Sequence, residues 1–170
     1  MAHGELSVRR LFRPEEWDRL AEFVCQAVRQ EPSLSPRGEG EIHRLLKKGA
    51  ILIGFWQGQP AGFIFRIPLS KAYCELAAWS VAPGLRGGPL GRALLVEAMR
   101  EPGRRYVFFT YQASLFNYLK RLGARRIRLA DLPWWVAARL LSARFNPSRL
   151  VNILQFKRRN REWILGVIET

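Results

Sequence analysis

Cysteine is scarce. Cys25 and Cys74 are the only two in 170 residues. Two cysteines cannot build a disulfide framework, and the chain has neither a CxxC pair nor a Cys/His cluster of the kind that binds zinc. They read as two reduced, buried thiols, and no metal is expected. Histidine is as rare: His3 and His43 lie far apart, neither in a recognisable dyad, and both read as surface residues. No run approaches the roughly 18 apolar residues that span a bilayer. The opening MAHGELSVRR lacks the apolar core of a signal peptide. These absences argue against a secreted or membrane-spanning protein and predict a cytoplasmic one. Lysine is the minor cation, with five of the 28 basic residues; the rest are arginine. Acid nearly vanishes from the C-terminal third, where Lys120–Arg161 sets twelve basic residues against Asp131 alone.

The composition is otherwise globular, 48% hydrophobic and 25% charged, and its length suits one domain over 1–170. Most of the net charge of +14 comes from that C-terminal block, since residues 1–119 carry sixteen basic and eleven acidic side chains. Such a block attracts nucleic acid, an anionic membrane or an acidic partner. The alternative is a solvated basic face, its arginines favoured by a GC-rich coding sequence.

Periodicity predicts the elements. Ser7–Phe12 reads as a first strand. Pro14-Glu15-Glu16 opens a helix that runs to Gln30, with Trp17, Leu20, Ala21, Val24 and Val28 at helical spacing. A second helix spans Glu41–Lys48 and ends at Gly49. Ala50–Trp56 and Ala61–Ile67 are strands joined by a hairpin at Gln57-Gly58-Gln59, and Lys71–Val81 is a third. Then come a helix (Gly91–Met99), a strand (Tyr106–Tyr111), a helix (Ser114–Leu122, with Ser114 as N-cap), closed by Gly123, and a strand (Arg125–Leu129). The amphipathic segment Leu132–Leu141 and strands at Val151–Phe156 and Trp163–Ile168 follow. A meander leading into β-α-β-α-β implies a mixed-sheet α/β or α+β architecture.

The informative stretch is Cys74–Leu95, CELAAWSVAPGLRGGPLGRALL. A strand ends at Val81-Ala82-Pro83, the glycine-rich turn Arg86-Gly87-Gly88-Pro89-Leu90-Gly91 follows, and a helix starts at once. Glycines let successive N–H groups face one concavity, and a helix N-terminus adds free amides and a positive dipole end. Together they form a phosphate cradle. It is neither a Walker loop, lacking GK[ST], nor a GxGxxG fingerprint.

This stretch resembles the central motif of the GNAT superfamily of acyl-CoA-dependent N-acetyltransferases, V-x-P-x-x-[R/Q]-G-x-G-x-[G/A]-x-x-L-L. Val81, Pro83, Arg86, Gly87, Gly91, Leu94 and Leu95 match it in register, and YLKRLGARRIRL resembles a second family segment. The likeness covers about residues 7–130. It implies a GNAT-like mixed sheet of six to seven strands flanked by about four helices, plus an extra C-terminal helix. It also implies acetyl-CoA or another acyl-CoA as cosubstrate, with no metal. The cofactor side would comprise Val81, Arg86, Gly87, Gly88, Leu90, Gly91, Arg92 and Gln112. Glu75, the only acid between Glu41 and Glu97, would be the base that deprotonates the amine acceptor. The family tyrosine that protonates the departing thiolate aligns with Leu119, leaving the adjacent Tyr118 for that role. The middle glycine of the motif is Pro89, which has no N–H.

The end of the chain does not follow the family. Residues 131–150 form an insertion in which Trp134, Trp135, Ala138 and Leu141 line one helical face, either closing the core or meeting a membrane surface or RNA. Lys157, Arg158, Arg159 and Arg161 make the strongest electrostatic patch, suited to nucleic acid or another anionic surface. Two functions compete: an N-acetyltransferase acting by direct attack, its acceptor carried on an anionic macromolecule, and a catalytically inactive GNAT-fold module that binds RNA, a membrane or a protein. A homodimer is a further expectation.

Overall fold

The structure is a computed structural model and describes residues 5–31, 34, 37–110, 112–142 and 163–170. The described strands are β1 (Leu6–Arg9), β2 (Ile51–Trp56), β3 (Gln59–Pro68), β4 (Tyr73–Val81), β5 (Arg105–Thr110), β6 (Arg125–Arg126) and β7 (Ile164–Glu169). They form one seven-stranded sheet in the order β1-β2-β3-β4-β5-β7-β6. The helices are α1 (Trp17–Gln30), α2 (Glu39–Lys47), α3 (Pro89–Ala98), α4 (Ala113–Lys120) and α5 (Trp134–Ser142). This is the mixed sheet with a C-terminal extra helix that the sequence predicts. The chain groups into two compact units, Met1–Ile67 with Ala77–Arg100, and Pro68–Leu76 with Glu101–Thr170.

In the first unit β1, β2 and β3 form an antiparallel meander. The β2–β3 turn puts Gln57 (φ 51°) and Gly58 (φ 74°) in the left-handed region, the conformation a two-residue hairpin needs. The apolar stripes of α1 and α2 (Leu20, Val24, Val28, Ile42, Leu46) pack on Ile51, Ile53, Phe63 and Phe65. Alternation sends Gly54 and its cross-strand partner Gly62 the other way. A Cβ at Gly54 would lie 2.7 Å from Leu90 Cδ1, and one at Gly62 would lie 3.1 Å from Leu94 Cδ1. The paired glycines are thus a slot that lets α3 lie flat on the strands. Arg66, almost fully buried, closes the far end of α3: its Nε donates to the Ala98 carbonyl at 2.9 Å. A cation at a helix C-terminus meets both the free carbonyls and the dipole.

In the second unit Tyr73–Leu76 of β4 pairs in parallel with Arg105–Phe108 of β5, and β7 runs antiparallel to β5 from Arg105↔Glu169 to Thr110↔Ile164. Gly166 is obligatory there, because a Cβ would sit 2.3 Å from the Phe108 ring. The core holds Val107, Ile127, Leu132, Val136, Leu140, Leu165 and Val167.

Several element expectations are corrected. The helix expected from Gly91 begins at Pro89, because proline suits a first helical position. Gln112, not Ser114, is the N-cap of α4. The strand expected over Arg125–Leu129 stops at Arg126, and Leu129–Asp131 turns as a 3-10 helix whose Asp131 carboxylate accepts the Arg128 N–H at 2.8 Å. The face of α5 also differs. Val136 and Leu140, four apart, are fully buried, whereas Trp134 is 81% exposed and Ala138 lies outside. Trp135 packs edge-on against Tyr73, with ring centroids 5.8 Å apart. Tyr111, the strand expected at Val151–Phe156, and the basic patch at Lys157, Arg158, Arg159 and Arg161 lie outside the described residues. So do His3 and residues 143–150 of the 131–150 insertion.

Candidate functional site

The cradle belongs to the first unit. β4 ends at Val81, the Ala82 N–H donates to the Ala61 carbonyl at 2.8 Å, and Pro83–Leu85 makes one 3-10 turn. Gly87 then adopts φ 77°, which a residue with a Cβ takes only with strain, and α3 begins two residues later. A Cβ at Gly91 would touch Trp79 at 3.3 Å, so the missing side chain seats α3 on β4.

The donors of this helix end can be counted. A helix leaves its N-cap and first three amides without intrahelical acceptors. Here the N-cap Gly88 donates to the Leu85 carbonyl at 3.2 Å, and Pro89 has no N–H. Leu90 and Gly91 supply the remaining two first-turn amides. The Leu90 side chain is buried in the Gly54 slot, which holds its backbone in place. Arg92 is exposed on α3. The Arg86 side chain turns back onto the protein: its Nε donates to the Val81 carbonyl at 3.2 Å, and its Nη2 lies 2.8 Å from Glu31 Oε2.

β4 is not a regular strand. Ala78 has φ 42°, a left-handed alanine in extended backbone. A non-glycine residue in that region costs on the order of 1–2 kcal/mol and marks a place where surrounding packing dictates the backbone. The kink separates the buried stretch Tyr73–Leu76 from the half-buried stretch Ala77–Ser80. It interrupts the two-residue alternation, so faces counted from Glu75 do not carry through to Val81.

Glu75, Gln112 and Tyr118 lie in the second unit, and His43 in the first. Glu75 is 3% exposed and sits opposite Val107 in the parallel ladder. Gln112 is exposed at the start of α4, and its N–H donates to the hydroxyl of buried Thr110 at 3.0 Å. Leu119, at the family tyrosine's position, is buried in the core. Tyr118 is half-buried, with the Arg121 guanidinium 5.7 Å from its ring. The phenol therefore occupies the more open side of α4. His43, half-buried on α2, places Nε2 3.5 Å from Asp18 and 3.8 Å from Glu39. Among the described residues no group of three or more His, Cys, Asp or Glu is placed to hold a metal ion, and no helix is long and apolar enough to cross a membrane.

Sequence reasoning missed Glu31, Arg66 and the Ala78 kink. Nothing local marks them: the partners of Glu31 and Arg66 lie 55 and 32 residues away, and an alanine carries no turn signal.

No family model matches the sequence, and no curated protein matches it. Solved structures do. The structure of Rv2747 from Mycobacterium tuberculosis, in complex with coenzyme A, superposes with a TM-score of 0.71 at 15% identity, covering 96% of this chain and 99% of that one. An acetyltransferase of the GNAT family from Streptococcus pneumoniae gives 0.60 at 19%, covering 73% and 87%. This chain has the GNAT fold. Diaminobutyrate acetyltransferase EctA from Paenibacillus lautus, in complex with its substrate and coenzyme A, shares that GNAT fold with a TM-score of 0.62 at 15% identity, covering 98% and 95%. On it, the segment Val81–Leu95 that carries the sequence resemblance forms the strand end, turn and helix start expected of it.

Proposed function

We propose that the protein is an acyl-CoA-dependent N-acetyltransferase that moves the acetyl group of acetyl-CoA to an amine by direct attack. The observation that carries this reading is the cradle: a left-handed Gly87, then the Leu90 and Gly91 amides at the start of α3, on a fold shared with two proteins whose solved structures hold coenzyme A, one of them a diaminobutyrate acetyltransferase. Oriented amides at a helix N-terminus fit a pyrophosphate without further charge. In this reading Glu75 takes a proton from the ammonium acceptor, because only the free amine is a nucleophile. The amine nitrogen then bonds to the thioester carbonyl carbon, the carbon–sulfur bond breaks, Tyr118 gives its proton to the departing thiolate, and the proton that the new amide nitrogen sheds returns the phenolate to phenol. The rest of the rate enhancement comes from holding the reactants together.

A catalytically inactive GNAT-fold module that binds RNA, a membrane surface or a protein partner is the second reading. It is favoured by Pro89 and by the Gly88 amide already donating to Leu85, which leave two first-turn donors where the family motif implies more. Calorimetric titration with acetyl-CoA at moderate salt tests the first. The expected dissociation constant is on the order of 1–100 µM, the lower part of the range of ordinary Michaelis constants. Gly87→Glu should abolish binding, since it strains the left-handed backbone at φ 77° and sets a carboxylate at the anion cradle. Wild-type protein that binds no acetyl-CoA overturns the acyltransferase reading.

A further inference from the structure

The motif arginine is engaged on the protein itself. Arg86 Nε donates to the carbonyl of Val81, the last residue of β4, and its Nη2 meets the carboxylate of Glu31, the residue that closes α1. The Arg86 N–H also donates to the Pro83 carbonyl, at 3.3 Å. One residue therefore ties the end of β4, the end of α1 and the 3-10 turn together, immediately before the left-handed Gly87. A guanidinium has a planar fork with fixed donor directions, so two such bonds set its position in a way a single point charge would not.

We infer that Glu31 is a positioning residue of the acyl-CoA site. It holds Arg86 against Val81, so that the Arg86 side chain braces the turn from behind and the Gly87, Leu90 and Gly91 backbone stays in its binding shape. This role rests on the acyl-CoA reading above. It opposes the simple electrostatic expectation, and the opposition makes it testable. A carboxylate beside an anion site repels the anion, so Coulomb's law alone says that removing Glu31 tightens binding. The brace requires the reverse, because loss of the carboxylate frees the guanidinium and loosens the turn.

The pair is partly exposed, with side-chain accessibilities of 56% for Arg86 and 25% for Glu31. Such a pair adds little to global stability, so its effect should be local. The test is calorimetric titration of acetyl-CoA into wild type, Glu31→Gln, Glu31→Asp, Arg86→Met and the Glu31→Gln/Arg86→Met double variant at one ionic strength, with thermal unfolding of each. Each single variant should bind about three- to fivefold more weakly, the upper end of what an exposed ion pair transmits. Asp should fail to rescue, because it keeps the charge but shortens the reach. The double variant should be no weaker than the weaker single, since both changes break one unit. The unfolding midpoints should stay within about 2 °C of wild type. Glu31→Gln binding as tightly as wild type or more tightly overturns the inference, as do full affinity in Glu31→Asp, losses that multiply in the double variant, or a loss that tracks a fall in midpoint. Wild type that binds no acetyl-CoA overturns the acyl-CoA reading, and this role with it.

Discussion

Glu75 and Pro89 pull the acyltransferase reading in opposite directions, and each can be examined by one substitution. Glu75→Gln is isosteric and keeps the packing of the buried β4 segment. If the carboxylate is the base, the acetylation rate should fall by about 10²- to 10⁴-fold while acetyl-CoA affinity changes less than about twofold. Thiol release with a panel of amines, read beside calorimetry, checks both. Turnover that survives in the variant removes Glu75 from the chemistry. Pro89 takes the opposite test. Pro89→Ala returns an N–H to the first turn of α3, where a hydrogen bond to a phosphate oxygen is worth on the order of 1–2 kcal/mol. Acetyl-CoA affinity should therefore rise about five- to thirtyfold. An unchanged affinity would mean that the first helical amide does not face the ligand.

β4 and α5 are the elements whose behaviour departs most from their sequence pattern. In an ordinary strand Ala→Gly destabilises. At Ala78 the backbone is left-handed, so Ala78→Gly should be neutral or stabilising by up to about 1 kcal/mol. Ala78→Val should cost about 2 kcal/mol or more, because a β-branched side chain tolerates that region worst. Denaturant unfolding of the two variants reads the sign directly, and a destabilised glycine variant would argue against the kink. In α5 the energetic weight lies on Val136 and Leu140, not on the exposed Trp134. Leu140→Ala should cost about 2–5 kcal/mol, whereas Trp134→Ala should change stability by less than about 0.5 kcal/mol. A Trp134 variant that loses stability comparably would show that the helix packs by another face.

Charge and burial make predictions for the protein in its entirety. The Arg9 side chain and the Arg13 N–H hold the Glu16 carboxyl below its ordinary value, and the Arg128 N–H and side chain do the same for Asp131. A carboxyl depressed in the folded state contributes stability above its unfolded pKa and loses it as pH falls through the lower folded value. The unfolding midpoint should thus drop as pH falls from about 5 to 3, and by less in Glu16→Gln/Asp131→Asn. Both thiols are buried, and burial, reinforced by Glu39, pushes the Cys25 thiol up. Native protein should consequently react with a disulfide reagent at neither cysteine within minutes, and at both after denaturation. Rapid reaction of either thiol would contradict the packing of α1 or of the buried half of β4.

How far the residues speak locally explains what was legible beforehand. The strand–turn–helix at Val81–Leu95, the hairpin at Gln57-Gly58 and the apolar stripe of α1 are short-range patterns: glycine where the backbone must be left-handed or close to a neighbour, and apolar side chains at the period of the element. Those patterns were enough for the order of the described strands and α-helices and for the strand–turn–helix at Val81–Leu95. The cross-chain contacts were not legible. Which face of α5 turns inward depends on what β5 and β7 offer it, and no periodicity within nine residues separates Trp134 from Val136. The engagement of Arg86 by Glu31, the cap that Arg66 places on α3 and the left-handed Ala78 arise only when strands and helices distant in sequence are packed together. Packing can impose a strained backbone or a paired charge on residues whose own preferences are silent about it.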